Sequence, residues 1–343
     1  MKRHLLIWLG LAAALIVQAA LPAVPDLGNP RIVVLANNLE NYYYNYDESE
    51  RPSYNTDAGR AAKTQKIVQM MLTSNADIFA FCEVEAKPVT LKYLVSELNK
   101  TVGDSAYAEV YDGINVATDS HDNAIKSGFV YKRATVEPYS SNYAATSVTY
   151  YKNTMRIQAW TEKSSGGRFT LSMNHFKAMS DEASKAKRVD NANWLMSGLS
   201  SSSKVKDPDI LIMGDLNAQM NEQCMSIILN NGYAEQLLRF DANAYSYIYH
   251  NTRELIDHAL ANSTMANQIT GAAVWHTNTS QSTYSQRYSD HDAVMVGVSL
   301  NEQPSTSIER IDVTAPAQKI LRNGQIIIIR DGVEYTITGQ RRY

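Results

Sequence analysis

Residues 209–217 read Asp-Ile-Leu-Ile-Met-Gly-Asp-Leu-Asn. An apolar run that breaks at a glycine and closes on a carboxylate and a carboxamide two residues apart is the pattern of a buried strand. Its C-terminal end presents Asp215 and Asn217 side by side at a sheet edge. Asp-x-Asn after a strand is also ordinary turn chemistry, so the stretch gains weight only if the chain repeats the plan elsewhere. It does. Arg31–Ala36 ends in Asn37-Asn38, Asp77–Phe81 runs into Glu83 and Glu85, and Thr170–Met173 ends in Asn174-His175. Asp257 lies in Leu-Ile-Asp-His-Ala-Leu, and Ser289-Asp290-His291-Asp292 opens the last strand of this series, Ala293–Leu300. Each motif alone defaults to a capping or solvated role. All six place a carboxylate, carboxamide or imidazole at the end of an apolar strand, and such ends can converge on one pocket.

Further strands are expected at Gly128–Tyr131, Met155–Trp160, Arg168–Met173 and Glu254–Leu260. Helices are expected over Asp57–Leu72, with Asp57 as N-cap and Ile67, Val68, Met71 and Leu72 at helical spacing, and over Asp181–Leu199 and Asn221–Asn230. Many strands with few helices favour two packed sheets flanked by helices over a doubly wound parallel sheet.

The 343 residues, 44% apolar and 20% charged, suffice for one large core with short appendages. Lys2 and Arg3 precede the uncharged run Leu5–Val17, followed by Ala19 and Ala20, which is the layout of a secretory signal peptide over residues 1–19. The run is too short to span a bilayer. The expectation is an exported, extracellular or cell-surface protein with its main domain over 28–300. The polar stretch 301–318 reads as a linker. In the tail, 319–343, Asn323-Gly324 and Asp331-Gly332 bracket Gln325–Arg330 as in a β-hairpin. Cys82 and Cys224 are too few for a disulfide framework and read as small buried apolar residues. Net charge is −3, or −5 for the side chains once Lys2 and Arg3 leave with the leader. Long-range attraction to a polyanion is therefore not encoded in the overall charge.

Hard oxygen ligands for Mg²⁺, Mn²⁺ or Ca²⁺, a base for water and donors for charge on phosphate are what phosphodiester cleavage requires. The strand-end residues supply all three. No Cys/His cluster with zinc spacing, Gly-rich phosphate loop or Gly-x-Ser-x-Gly elbow competes with them.

From about Arg31 to Leu300, in this order of motifs, the chain resembles the endonuclease/exonuclease/phosphatase superfamily. It is most similar to the extracellular nuclease branch in residues 123–128 (Asn-Ala-Ile-Lys-Ser-Gly), 174–177 (Asn-His-Phe-Lys), 245–247 (Tyr-Ser-Tyr), 256–260 (Ile-Asp-His-Ala-Leu) and 271–276 (Gly-Ala-Ala-Val-Trp-His). The resemblance implies an α+β fold, a four-layer α-β-β-α sandwich of two mixed sheets, with the small β-hairpin module appended. It implies that Asn38 and Glu83 hold a divalent metal, with Asp290 nearby. Asp215 and Asn217 position the attacking water and the phosphate, His291, oriented by Asp257, acts as acid/base or as a phosphate donor, and His175 binds the phosphate from the other side. The implied substrate is nucleic acid, DNA in the first instance, reached through a local cationic strip for which Lys126, Lys177 and Arg188 are candidates. A phospholipid or inositol-phosphate phosphodiesterase of the same superfamily, or a non-catalytic binding module on its scaffold, are the alternatives.

Two departures qualify the match. The adjacent Asn37 and Asn38 leave the first metal-site amide open to a shift of one, and the superfamily's phosphate-contacting tyrosine has no clear counterpart, with Tyr131 as candidate. His258, beside Asp257 on a strand, points to the opposite face and reads as a packed histidine. Trp275 and His276 read as packing or substrate-wall residues. The run Tyr42-Tyr43-Tyr44 reads either as a base-stacking patch or as half-buried loop packing.

Overall fold

The computed structural model describes residues 20–44, 57–87, 89–110, 125–144, 155–201 and 205–301, and in the tail 318–322, 325–330, 332–336 and 342. The expected leader, the linker residues 302–317 and Asn123-Ala124 of one recognised segment lie outside them. By internal contacts the chain forms two units, 1–302 and 303–343.

In the larger unit the chain runs β1 (Ile32–Tyr42), α1 (Asp57–Ser74), β2 (Ile78–Glu85), α2 (Val89–Val102), β3 (Tyr107–Glu109), β4 (Ile125–Lys132), β5 (Val136–Ala144), β6 (Met155–Glu162) and β7 (Arg168–His175). It continues through α3 (Glu182–Leu199), β8 (Ile210–Asp215), α4 (Gln223–Asn230), β9 (Tyr233–Glu235), α5 (Leu237–Phe240), β10 (Tyr247–Tyr249) and β11 (Thr252–Glu254). The last elements of the unit are β12 (Asp257–Asn262), α6 (Ser263–Ala266), β13 (Ile269–Trp275) and β14 (Ala293–Val298). One sheet has the order β13-β14-β1-β2-β4-β3 and the other β5-β6-β7-β8-β12-β9. Both are mixed: β1–β2 and β7–β8 are parallel, and the remaining pairs are antiparallel.

The apolar runs need two partners because their side chains alternate between two buried faces. In β2, Ile78, Ala80 and Cys82 face the other sheet, where they join Trp160, Phe169, Leu171, Met173 and Met213. Phe79 and Phe81 point outward to a layer with Ile67, Met71, Leu91 and Leu94 of α1 and α2. On the far side, Ile157, Ile210, Ile212 and Leu260 meet Ala192 and Leu195 of α3 and Met225 and Ile228 of α4. The result is the α-β-β-α sandwich. Both cysteines are buried and free, as read from the sequence.

The order β14-β1-β2 beside β7-β8-β12 brings the C-terminal ends of the parallel strands and the N-terminal ends of β12 and β14 to one edge. Register places Asp215 opposite both His175 and Asp257. The tight spacing depends on Gly214, which has φ +125 and on which a Cβ would stand 2.1 Å from the Asn174 carbonyl oxygen. Only glycine allows that approach.

The smaller unit contains an antiparallel sheet of β15 (Gln318–Arg322), β16 (Gln325–Arg330) and β17 (Val333–Thr336). The second of the two turn signals, at Asp331-Gly332, is followed by a third strand, so the tail carries one strand more than a hairpin.

Candidate active site at the strand ends

Asn38 and Glu83 leave their strands at irregularities in the β1–β2 and β2–β4 ladders. Glu83, Glu40, Asn41 and Asn217 all have positive φ without being glycine. Bulges re-aim side chains, and such backbone persists where the surroundings over-determine it. Here the determinants are visible. Glu83 accepts from the Asn38 amide at 2.9 Å and from the Asn41 backbone N–H at 2.9 Å. The Glu40 backbone N–H donates to Asn38 Oδ1 at 2.8 Å.

Asp215 lies at the centre. Its Oδ2 accepts from Asn38 Nδ2 at 3.0 Å and Asn217 Nδ2 at 3.1 Å, and its Oδ1 from the Asn217 backbone N–H at 2.8 Å. His175 Nε2 stands 3.7 Å from Asp215 Oδ2 and 3.6 Å from Glu83 Oε1. His291 Nε2 approaches Asp215 Oδ2 at 3.8 Å from another side, and its Nδ1 is held by Asp257 at 2.8 Å. Asp290 Oδ1 is 3.9 Å from His291 Nε2. The adjacent asparagines separate cleanly: Asn38 faces this cluster, while Asn37 lies behind it, donating to the His291 carbonyl and accepting from the Tyr288 hydroxyl.

Burial would lower the His291 pKa, but the carboxylates of Asp257 and Asp215 outweigh it and raise the group well above the ordinary histidine range. Burial raises Asp215, with Asp257 adding to it against the opposing pull of His291. Burial likewise raises Asp290. Glu83 ends below the usual range because His175 and the Asn38 amide overcome its burial. Crowded carboxylates of this kind suit a cation. Glu83, His175 and Asp215, and again Asp215, Asp257 and His291, each offer ligand atoms within 4.8 Å of one another. With Asp290 the donors are mainly hard oxygens, which fits a divalent metal of the Mg²⁺, Mn²⁺ or Ca²⁺ type; Asn38 turns its Nδ2 to the carboxylates and would add its Oδ1 on rotation of the amide.

Eight sequence-derived residues therefore meet: Asn38, Glu83, His175, Asp215, Asn217, Asp257, Asp290 and His291. The cationic strip does not form as expected. Arg188 is 1% exposed, and its guanidinium is spent on Glu222 at 2.7 Å and on the carbonyls of Lys177 and Met179. Lys126 is 1% exposed within β4, opposite Val84. Lys177 alone of the three keeps a partly exposed side chain. Glu85 accepts from the Tyr44 backbone N–H and the Thr90 hydroxyl, a structural role.

Tyr131 packs edge-on to Trp160 and pairs with Ile78, at the other end of β2 from Glu83, so it is no phosphate contact. Tyr42 and Tyr43 are buried, and Tyr44 stacks on Tyr93, which settles that run as packing. His258 faces away from the site and is held by Glu235 and the Ala218 carbonyl, each at 2.8 Å. Trp275 is a core residue whose indole N–H donates to the Pro22 carbonyl. His276 is paired with Asp292 at 2.7 Å.

Two neighbours of the site escaped the sequence reading. Lys63 of α1 donates to the Glu40 carbonyl, and burial lowers it to about 8 against the pull of Glu40, Glu83 and Asp290. Tyr247 lies against the His291 ring at 4.8 Å. Lys63 has no sequence signal beyond its place in an amphipathic helix. Tyr247 lay in the recognised Tyr-Ser-Tyr segment, but with no chemistry attached to it.

Residues 48–291, more than two-thirds of the chain and ending on His291, match the endonuclease/exonuclease/phosphatase family. Solved structures share the fold at low identity. An endonuclease/exonuclease/phosphatase protein from Bacteroides vulgatus is 13% identical with a TM-score of 0.57, over 79% of this chain and 99% of that one. A mannosyl-6-phosphatase from Bacteroides thetaiotaomicron is 15% identical, TM-score 0.52, over 78% and 100%. The catalytic domain of human Nocturnin with bound sulfate is 17% identical, TM-score 0.52, over 79% and 94%. No curated protein matches significantly. The chain belongs to the endonuclease/exonuclease/phosphatase family, a family of divalent-metal-dependent phosphoester hydrolases.

Proposed function

We propose that this hydrolase is an exported nuclease that cleaves DNA phosphodiester bonds with Mg²⁺ or Mn²⁺. The observation that carries the reading is the donor set around Asp215. Two imidazoles, His175 and His291, and two amides, Asn38 and Asn217, surround it, while the guanidinium of Arg188 is turned away. A phosphodiester carries one negative charge and a terminal phosphate monoester closer to two. Imidazole and amide donors match the diester. The segments shared with the extracellular nuclease branch support nucleic acid as its source, and the leader layout supports export.

Asn38, Glu83 and Asp290 are the residues that would hold the metal. Bound there, it would polarise a phosphoryl oxygen and offset the charge that develops on it. The chain's own groups do the rest. His291, kept protonated by Asp257 and Asp215, is a poor base at neutral pH and a good donor to a phosphate oxygen, and His175 donates from the opposite side. Asp215, made more basic by its surroundings, takes a proton from the attacking water, with Asn217 orienting both. The water oxygen bonds to phosphorus, the P–O bond to the departing sugar oxygen breaks, and that oxygen is protonated from solvent.

Incubation of the purified chain with plasmid DNA, RNA, sphingomyelin, inositol phosphates and a sugar 6-phosphate under Mg²⁺ tests the assignment. DNA cleavage without marked sequence preference is expected. Turnover of a lipid or a sugar phosphate with no nuclease activity would overturn the substrate class and leave the metal site standing.

A further inference from the structure

The strands β10 and β11 form a two-stranded ribbon that belongs to neither large sheet. Its turn, His250-Asn251, has φ of 45 and 65, the left-handed pair that a two-residue hairpin requires. The root of the ribbon is locked into the active site. Ser246 is fully buried: its hydroxyl accepts from the backbone N–H groups of Ile256 and Asp257, and its carbonyl accepts from the Asp292 backbone N–H at 2.8 Å. One serine thus ties together the loops that carry Asp257 and His291.

The rings on either side of Ser246 each cover a His–Asp pair. Tyr245 stacks on His276 at 4.2 Å, with the Arg253 guanidinium over its ring at 4.5 Å. Tyr247 leans on His291 at 4.8 Å. Two residues further along the strand, on the same face, Tyr249 lies within 13° of parallel to Tyr247 at 6.5 Å, and His250 meets its edge. Tyr249 is 55% exposed. A row of rings therefore leads outward from the His291 imidazole and ends on an open aromatic face carried by the ribbon.

We propose that Tyr249 stacks on a nucleobase beside the scissile phosphate, so that the Tyr247–Tyr249 row makes the enzyme select base-bearing polynucleotides. This rests on the nuclease reading above and names the residue that would set its substrate class. Every base offers a π-face, so such stacking binds without sequence preference. Arg253 and His250 on the same ribbon suit an anionic backbone. Insertion into a bilayer would need a broad apolar surface, and the exposed apolar residues of the ribbon are Ile248 and Tyr249.

The test compares two single-stranded oligodeoxynucleotides of equal length under Mg²⁺, one with all its bases and one with tetrahydrofuran abasic residues through its central segment. Wild type, Tyr249→Ala and Tyr249→Trp are assayed as full chains with matched melting curves. For Tyr249→Ala the ratio of kcat/KM on the base-bearing to the abasic strand falls about 5- to 100-fold through KM, and Tyr249→Trp retains the ratio. An unchanged ratio in Tyr249→Ala, with wild type cleaving both strands, would overturn the stacking role alone. If wild type cuts plasmid DNA but neither single strand, the stacking role fails alone; if it cuts neither plasmid nor strand, the nuclease reading fails and takes the platform with it. Binding of wild type but not Tyr249→Ala to phosphatidylcholine vesicles would assign the ribbon to a lipid surface instead and overturn the proposal.

Discussion

Replacing Asp257 by Asn separates charge from geometry at His291, the phosphate donor of the proposed mechanism. Asp257 Oδ2 lies 2.8 Å from His291 Nδ1, and both residues are buried. The asparagine carbonyl can still accept a hydrogen bond from Nδ1–H, so the ring keeps its orientation while the carboxylate that does most to raise its pKa disappears. A hydrogen bond to a charged group contributes about 1.5–3 kcal/mol, which corresponds to roughly a 10- to 150-fold fall in turnover. Loss of the carboxylate also lowers the pKa of His291, because Asp257 is the main group that raises it. Because the proposed mechanism uses the protonated ring as phosphate donor, the alkaline limb of the rate profile is expected to move to lower pH. His291→Ala costs more, about 10²–10⁴-fold, and the double variant is no worse than His291→Ala, since the two residues act as one unit. The assay is the pH dependence of kcat on a defined oligonucleotide with the folded variants. A fall in kcat with no movement of the alkaline limb would refute the charge argument, and additive losses in the double variant would refute the coupling.

Three further outcomes are expected. Gly214→Ala forces a methyl against the Asn174 carbonyl in an unfavourable φ region, so calorimetry should show a Tm lowered by several degrees and activity lost with it; an unchanged Tm would remove the close-approach argument. For His258, burial alone would lower the pKa, but Glu235 outweighs it and the net shift is upward. The stability this confers is present below about pH 6.5 and is lost as pH rises through the folded-state value. Tm of Glu235→Gln should therefore fall less steeply than wild type above pH 6.5, and equal slopes would contradict the pairing. Truncation after Glu302, at the boundary between the two units, should leave catalysis and Tm unchanged; a soluble, folded but inactive product would place the tail in the catalytic unit.

The layer architecture was legible because apolar runs such as Ile-Phe-Ala-Phe-Cys in β2 are continuous and short, bounded by polar residues, as in strands buried on both faces. The site was legible because one plan recurs at six strand ends. Boundaries were less so. The expected strand at Glu254–Leu260 is broken at Leu255-Ile256 into β11 and β12, because the hydroxyl of Ser246, earlier in the chain, takes the backbone N–H groups of Ile256 and Asp257. The helix α2 does carry helical spacing in Leu91, Leu94, Val95 and Leu98, which the reading passed over, whereas the strands β3 and β9, three residues each, are too short to show a period. Arg188 misled because a cation next to a motif reads as a ligand for phosphate, whereas its partner Glu222 lies 34 residues away and is brought to it only by the packing of α3 against the start of α4.

The central claim is that the carboxylates and histidines at the strand ends form a divalent-metal centre for phosphodiester hydrolysis. Its most direct test is DNA cleavage by the wild-type chain dialysed against EDTA, with Mg²⁺ or Mn²⁺ then added back, beside Glu83→Gln in the same buffers. The account predicts no cleavage in chelator, full recovery with either ion, and a variant that needs far more metal or does not recover. Undiminished cleavage by the dialysed enzyme in EDTA would contradict it.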